Sequence, residues 1–156
     1  MRKIALGSDH AGYKLKEYVK QYLLSNNYEI FDFGTDSEEP VDYPDFIFKA
    51  AEFVSMKKAD CGIVFGGSGN GEAIAANKVR GVRCALCWNS EAARLAKVHN
   101  DANMISIGGR LTSNDEAVRM VDLWLNSEFE GGRHLKRIEL ITGYERSLHK
   151  NHDHPA

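Results

Sequence analysis

The stretch DCGIVFGGSGNGEAIAANKV, residues 60–79, predicts a β-strand, a glycine-rich loop and an α-helix in direct succession. The run GIVF is continuously apolar, which is typical of a strand buried on both faces of a parallel sheet. The loop GGSGNGE, residues 66–72, contains four glycines and ends in an acid. Glycines let backbone amides approach an anion closely, and the following helix adds the positive end of its dipole. The stretch therefore predicts an anion-binding loop at the carboxyl end of a buried strand.

Glu72 closes this loop in the first turn of the predicted helix. The helix dipole favours an ionised carboxylate at that position, so Glu72 could serve as a base. The alternative is an ordinary first-turn acid with no chemical role, and the residues alone leave both interpretations open.

Apolar runs alternate with amphipathic segments along the rest of the chain. Strands are predicted over residues 3–7, 28–34, 60–67, 83–88 and 104–109, and helices over 13–25, 46–56, 71–79, 90–100 and 114–126. Strands separated by helices in this order form right-handed crossovers and a parallel sheet. The predicted fold class is therefore α/β, a three-layer Rossmann-like fold with a five-stranded parallel sheet, helices on both faces and a long C-terminal helix.

Three local patterns give further expectations. GIVF and CALC, the latter at residues 84–87, are both expected at the centre of the sheet because they are apolar throughout. DSEEPVDYPD, residues 36–45, is predicted to be a loop because it contains turn-forming residues and two prolines. The helix predicted over 131–148 has no strand after it, so it is expected to lie across a partner subunit or the sheet edge.

The size and charge of the chain exclude several classes of protein. Its 156 residues suit one domain over residues 1–148, followed by a polar tail at 149–156 that is expected to be flexible. A net charge of −2 gives no general attraction to nucleic acid or membranes. No apolar run approaches the ~20 residues of a membrane span, and the N-terminus lacks a signal-peptide core, so a cytoplasmic location is expected.

The three cysteines predict neither a disulfide framework nor a metal centre. Cys84 and Cys87 form a C-x-x-C pair within a predicted strand. Residues three apart on a strand point to opposite faces, so the two sulfurs are expected to diverge. The histidines of the tail, which could chelate a metal, are more simply interpreted as part of a disordered segment.

Polar residues follow the predicted strands at the sheet edge where parallel sheets bind ligands. The residues at these strand ends are Ser8, Asp9 and His10, then Gly34 and Thr35, the glycine loop, Trp88 and Asn89, and finally Gly108, Gly109 and Arg110. The glycines do not match the G-x-G-x-x-G fingerprint of dinucleotide binding, since Glu72 or Ile74 holds the third position. Neither does GSDHAG match a nucleotide loop, because its last glycine is followed by Tyr13 instead of lysine.

Two further groups of residues suggest chemistry and also have ordinary structural explanations. His99 could interact with the last carbonyls of its helix or, with Asn100, belong to a polar site. Arg133 and Arg137 lie four residues apart on one helical face. They could be a solvated basic face or, with Arg110, a phosphate clamp.

Five segments together resemble the type B ribose-5-phosphate isomerases, a family that includes galactose-6-phosphate and allose-6-phosphate isomerases. They are SDHAGYKLK (8–16), DYPD (42–45), GGSGNGEAIAANKVRGVRCAL (66–86), the HN pair (99–100) and IGGR (107–110). The resemblance runs from about residue 3 to Arg146. It implies an aldose–ketose isomerase with a Rossmann-like fold, no metal or nucleotide cofactor, and dimers or tetramers with sites at the subunit interface.

The resemblance also implies roles for individual residues. Asp9 and His10 would contact the sugar and phosphate, and Tyr43 would line the pocket. The loop residues that would stabilise an enediolate are Gly67, Ser68, Gly69, Asn70 and Gly71. His99 would be the ring-opening acid, with Asn100 beside it as a ligand contact. The implied phosphate-binding arginines are Arg110, Arg133 and Arg137, the last two reaching into the partner's site.

One position departs from many members of the family. Gly66 stands where they carry a cysteine base, while another branch uses a glutamate directly after the glycine loop, as Glu72 is here. The resemblance therefore assigns the base to Glu72, and the Ser68 hydroxyl could move a proton between the reacting oxygens. The alternatives are a hexose 6-phosphate isomerase, for allose or galactose, and a non-catalytic sugar-phosphate sensor.

Overall fold

The computed structural model describes the backbone of residues 1–152 and the side chains of residues 1–148. The strands are β1 Lys3–Ser8, β2 Glu29–Asp32, β3 Cys61–Gly66, β4 Cys84–Cys87 and β5 Met104–Gly108. The helices are α1 Tyr13–Ser25, α2 Tyr43–Ser55, α3 Asn70–Ala76, α4 Ser90–Val98, α5 Asn114–Asn126 and α6 Arg133–His152. All strand pairs are parallel, in the order β2-β1-β3-β5-β4, which confirms the predicted fold class.

The centre of the sheet is β3, and one prediction about its neighbours is wrong. Every residue of β3 is buried, and Val64 pairs with Gly7 on one side and Ser106 on the other. CALC, by contrast, forms the edge strand β4, which within the described part of the chain pairs with β5 alone and leaves Leu86 38% exposed. An apolar run does not distinguish the two positions, because helices α3 and α4 both contact β4 and give an edge strand apolar neighbours.

Two apolar cores cover the faces of the sheet. The first packs α1, α4 and α5 against alternate strand residues and includes the fully buried Trp124, whose indole donates to the Ala102 carbonyl (3.1 Å). The second core packs α2 and α3 on the other face. Cys87 belongs to the first core and Cys84 to the second, which confirms that their sulfurs diverge.

Helix α2 begins at Tyr43, three residues before the predicted start, so DYPD is not entirely a loop. Pro44 is compatible with this start because amides in the first turn have no intrahelical partner. The earlier start brings the Tyr43 ring over Gly71, where any side chain on Gly71 would come within 2.6 Å of the ring. Tyr43 therefore stands beside the glycine loop.

The C-terminal helix α6 is confirmed as a long helix, but it begins at Arg133 and extends past the predicted end to His152. Its first turns are anchored by buried His134 and Ile138, while Leu140, Ile141 and Tyr144 are each more than half exposed. Of the tail that was predicted to be flexible, residues 153–156 lie outside the described residues. No helix in the described part of the chain has the length and apolar character needed to cross a membrane.

A buried ion pair joins α1 to β2. The side chain of Lys16 is fully buried, and its ammonium donates to Asp32 (2.6 Å) and Glu17 (2.9 Å). Burial alone would raise the pKa of Asp32, but hydrogen bonds from Lys16, the Gly34 amide and Lys20 outweigh it and lower the pKa. Because this pKa is lower in the folded state, ionised Asp32 stabilises the fold at neutral pH, and that stabilisation is lost as the pH falls.

Asp32→Asn should destabilise the protein by about 3–5 kcal/mol at pH 7, because it leaves the buried Lys16 charge short of a partner. Urea denaturation at several pH values measures this loss of stability. The difference between wild type and variant should begin to shrink as the pH falls below about 4, the ordinary pKa of aspartate. It should vanish only below the lowered pKa of folded Asp32, where the wild-type carboxylate is also protonated. Glu38→Gln is the control: Glu38 pairs with Lys14 at 3.1 Å on the surface, and its loss should cost less than about 1 kcal/mol. Equal costs for the two variants would contradict the importance of the Lys16–Asp32 pair.

Candidate active site

The glycine loop lies at the carboxyl edge of the sheet, against the backbone that follows β5. The amides of Gly109 and Arg110 donate to the carbonyls of Gly66 (2.6 Å) and Gly67 (3.0 Å). Gly69 has a left-handed backbone (φ 85°), and its carbonyl accepts a hydrogen bond from the buried hydroxyl of Ser106 (2.7 Å). The two glycine-containing segments are thus held together, and α3 begins directly after the loop.

The carboxyl group of Glu72 occupies space that is available only because Gly66 has no side chain. A β-carbon on Gly66 would overlap the Glu72 carboxyl group. Glu72 is only 4% exposed, which is unlike an ordinary acid in the first turn of a surface helix. A cysteine at position 66 and a glutamate in this conformation at position 72 therefore exclude each other.

The pKa of Glu72 is raised from its ordinary value. Burial is the largest cause, a hydrogen bond from its own amide opposes it, and the negative charge of Asp9 raises the pKa further. Among the described residues no lysine or arginine forms an ion pair with Glu72. A buried carboxylate without a cation holds a proton more readily than a surface glutamate, which suits proton transfer near neutral pH.

Asp9 and His10 are both oriented by backbone groups at the end of β1. The Gly12 amide donates to Asp9 Oδ1 (3.0 Å), and the Val41 amide donates to His10 Nδ1 (3.1 Å). Because Nδ1 of His10 accepts a hydrogen bond, its Nε2 carries the ring proton and is a donor for a ligand. Asp9 is buried and His10 is half-buried, so the imidazole is the more accessible of the two.

Four more predicted residues lie at this edge. The guanidinium of Arg110 packs against the glycine loop, where a side chain on Gly67 would meet Arg110 Nη1 at 3.3 Å. Ser68 and Asn70 are exposed, and the Ser68 hydroxyl accepts from the Asn70 amide (3.2 Å). Asn89, expected among the ligand-facing residues, instead caps α4 by accepting from the Ala92 amide (2.7 Å).

His99 and Asn100 lie at the opposite edge of the sheet. They follow α4, which runs antiparallel to the strands, and the Asn100 carbonyl accepts from Arg83, the residue that precedes β4 (3.1 Å). The six residues of β3, at about 3.3 Å each, separate the two edges by about 16 Å. Within one chain, therefore, His99 and Asn100 do not join Glu72.

Arg133 and Arg137 belong to this second group. The imidazoles of His99 and His134 stack with centroids 4.3 Å apart, and the Glu130 amide donates to the Val98 carbonyl (3.0 Å). These contacts hold the start of α6 against the end of α4. The two exposed arginines are therefore near His99, and the clamp of three arginines with Arg110 does not form within one chain.

The comparison with known proteins agrees with this architecture. The ribose/galactose isomerase family model matches residues 4–141. Ribose-5-phosphate isomerase B of Mycobacterium leprae is 44% identical over 147 residues, covering 93% of this chain and 91% of the relative. Ribose-5-phosphate isomerase B of Escherichia coli is 41% identical over 145 residues, covering 93% of this chain and 97% of the relative. The chain belongs to the ribose/galactose isomerase family.

Solved structures of this family superpose on the whole fold. Ribose-5-phosphate isomerase B of Clostridium thermocellum has a TM-score of 0.92 at 49% identity, with 94% of this chain and 99% of that chain covered. Ribose-5-phosphate isomerase B of Mycoplasma genitalium was solved with bound ribulose-5-phosphate. It has a TM-score of 0.89 at 38% identity, with 92% of this chain and 96% of that chain covered. The resemblance seen in the sequence motifs is thereby confirmed.

In this member of the family the three thiols are inaccessible. Cys61, Cys84 and Cys87 are all buried. Burial raises the pKa of Cys61 to about 11 and that of Cys87 to about 12, and it also raises the pKa of Cys84. All three are therefore protonated at neutral pH, and none of them lies in the glycine loop.

Sequence reasoning did not single out Glu130 or His134, which adjoin His99. GGRHLK is typical of a helix start, and nothing in its spacing indicates contact with a residue far earlier in the chain. The sequence also indicated no role for the hydroxyl of Ser8. This hydroxyl is fully buried at the end of β1 and has no hydrogen-bond partner among the described residues.

Gly66→Ala should destabilise the protein by about 1–3 kcal/mol, because its methyl group would force the Glu72 carboxyl out of its space. In a Glu72→Ala background the same substitution should cost much less, since the obstructing carboxyl group is gone. Urea denaturation of the two single variants and the double variant gives the coupling free energy. Additive costs would contradict the steric exclusion between the two positions.

Proposed function

We propose that this chain is an aldose–ketose isomerase that interconverts ribose 5-phosphate and ribulose 5-phosphate through an enediolate, with Glu72 as the base. The observation that carries the proposal is the buried Glu72 carboxylate, which lies beside the glycine loop with a raised pKa. Relatives named ribose-5-phosphate isomerase B support the choice of substrate, as does the bound ribulose-5-phosphate in one of their structures.

The proposed reaction moves a proton between two neighbouring carbons of the open-chain sugar. Glu72 takes the proton from C2 of the aldose, the electron pair of the broken C–H bond forms the C1–C2 double bond, and negative charge develops on O1. The carboxyl group then returns the proton to C1. The Ser68 hydroxyl moves the hydroxyl proton between O2 and O1, so that the carbonyl ends at C2.

The glycine loop would stabilise the charged intermediate. The amides of the residues from Gly67 to Gly71, including Gly69 and Asn70, are the donors that would receive the developing negative charge, as in an oxyanion hole. This chemistry transfers protons without any net oxidation, so the proposed enzyme needs no redox, nucleotide or metal cofactor.

Substrate binding is proposed to involve two subunits. Asp9, His10, Tyr43 and Arg110 would bind the sugar phosphate from the subunit that supplies Glu72. Four residues at the other edge of the sheet would come from the partner subunit: His99 as ring-opening acid, Asn100, Arg133 and Arg137. Their distance from Glu72 within one chain favours this division.

Exposed apolar residues support a homodimer or homotetramer. Ile74 and Trp88, near the glycine loop and the edge strand, are 62% and 73% exposed. Apolar side chains also remain exposed along α6, including Leu140, Ile141 and Tyr144. Large apolar side chains exposed in such numbers are consistent with an interface between subunits. A cytoplasmic location remains an expectation from the sequence.

Hexose 6-phosphate isomerisation is the second candidate, because the matching family also includes galactose isomerases. The same proton transfer would serve either substrate, and the longer sugar would need more room between Glu72 and the phosphate-binding residues. A non-catalytic sensor is less well supported, since burying the unpaired Glu72 carboxylate is costly and has no purpose in a protein that only binds.

Glu72→Gln should lower the turnover of ribose 5-phosphate by about 10²–10⁴-fold, because an amide cannot accept the proton, while KM changes only a few-fold. Steady-state assays with ribose 5-phosphate, allose 6-phosphate and galactose 6-phosphate measure the isomerase activity and the preference for one substrate over another. Glu91→Gln is the matched control, since Glu91 is an exposed acid in the first turn of α4. Substantial turnover by Glu72→Gln would remove Glu72 as base, and no turnover of any sugar by the wild type would favour the sensor.

Mixing two inactive variants should restore activity if each site uses both subunits. A mixed dimer of Glu72→Gln and His99→Asn contains one site with both wild-type residues, so co-expressed and purified mixed dimers should exceed either parent. The control is a mixture of Glu72→Gln with Asp9→Asn, whose changes lie at the same edge and leave no site intact. Failure of the first mixture to regain activity would contradict the shared site.

A further inference from the structure

Three side chains at the amino edge of the sheet form a cluster of metal-binding groups: His99, Glu130 and His134, here called the imidazole cluster. One nitrogen of each imidazole and one carboxylate oxygen of Glu130 lie within 4.8 Å of one another. His99 Nε2 is 4.0 Å from Glu130 Oε2, and the two rings are stacked with an interplanar angle of 15°. Three possible ligand atoms, from the end of α4, the loop before α6 and the first turn of α6, thus lie within one small volume.

The buried histidine of the cluster has unused bonding capacity. His134 is only 6% exposed, and its Nε2 has no hydrogen-bond partner among the described residues. A buried polar atom without a partner calls for an explanation, and a bound ion is one.

Backbone hydrogen bonds fix the positions of the three residues relative to one another. The His99 amide continues α4 by donating to the Leu95 carbonyl (2.9 Å), and the Glu130 amide donates to the Val98 carbonyl (3.0 Å). The His134 amide donates to the Gly131 carbonyl (3.1 Å), which closes the turn between Glu130 and His134. The cluster is thus formed by the folded chain before any ion arrives.

The donor set is the one found in many zinc sites. Two histidines and one glutamate, with a fourth position open, is a common arrangement around Zn²⁺, with bonds of about 2.0–2.2 Å. Coordination at those lengths requires the three ligand atoms to move together by roughly 1 Å. Because the nitrogen lone pairs of two stacked rings are nearly parallel, the His99 imidazole must also rotate out of the stack. The side chains of His99 and Glu130 are 37% and 58% exposed, so both can move. The nearby charge of Arg133 opposes a dication and the Glu130 carboxylate offsets it.

We propose that His99, Glu130 and His134 form a binding site for Zn²⁺ or a similar dication, and that a bound ion inhibits the enzyme by occupying His99. The inhibitory half of this inference rests on the proposed function, in which His99 exchanges the proton that opens the sugar ring. A metal-bound imidazole nitrogen has no free electron pair and cannot exchange that proton. The ion is thus an inhibitor and not a cofactor.

Metal binding is tested first, without reference to activity. Co²⁺ is titrated into the full-length protein and followed by the visible absorption of its tetrahedral complex, then displaced with Zn²⁺. The histidines of the tail are replaced in every variant, as His149→Gln, His152→Gln and His154→Gln, so that they do not contribute. Glu130→Gln should weaken binding at least ~10-fold, while Glu128→Gln, an exposed acid two residues away, should leave it unchanged.

Inhibition is tested next with ribose 5-phosphate as substrate. Zn²⁺ should inhibit reversibly, with activity restored by a chelator, and its inhibition constant should rise in Glu130→Gln by the same factor as the dissociation constant. Equal inhibition of Glu130→Gln and Glu128→Gln would overturn the assignment, as would the absence of Glu130-dependent Co²⁺ absorption. Binding that depends on Glu130 without any inhibition would support the metal site and overturn its inhibitory role.

The two proposals fail in different ways. A chain that binds Co²⁺ through Glu130 but isomerises no sugar phosphate in metal-free buffer supports the metal site and contradicts the proposed function. A chain that isomerises ribose 5-phosphate normally but shows no Glu130-dependent binding contradicts the metal site alone.

Discussion

The carboxyl group of Glu72 reaches the end of β3 only because Gly66 has no side chain. Around the same point, Gly12 lies directly against the Phe65 carbonyl and the Gly109 amide donates to the Gly66 carbonyl. Three backbone segments therefore approach more closely than side chains would allow. This close approach both creates the glycine loop and buries the carboxylate beside it. It also makes a cysteine side chain at position 66 incompatible with the present position of the Glu72 carboxyl group.

Two buried charges in this fold show opposite electrostatic designs. Lys16 is fully buried but is hydrogen-bonded to Asp32 and Glu17, so its charge is compensated and joins α1 to β2. Glu72 is nearly as buried, has no cation partner among the described residues, and lies near another acid, Asp9. Such an arrangement is unfavourable for stability and raises the pKa of the carboxyl group. Perturbed groups of this kind are concentrated at functional sites, whereas compensated pairs serve structure.

The direction of the helices imposes a second constraint on function. Each helix that connects parallel strands runs back across the sheet, so a residue at its end lies at the amino edge. His99 and Asn100 end α4, and contacts with α6 bring Arg133 and His134 to the same place. A single chain therefore presents two separated groups of candidate functional residues. The proposed shared site and the proposed metal site both follow from this separation, since His99 belongs to each.

The sequence by itself determined the order of elements, the parallel sheet, the glycine loop with Glu72 beside it, and the opposite orientations of Cys84 and Cys87. These follow from periodicity and from local backbone chemistry, which depend on neighbouring residues. Only the tertiary structure decided that β4 is an edge strand, that His99 stacks on His134, and that Glu72 and His99 lie at opposite edges. The order of strands and the contacts of distant segments depend on which surfaces pack together. An apolar run indicates that a segment is buried, but it does not identify the surface against which the segment packs.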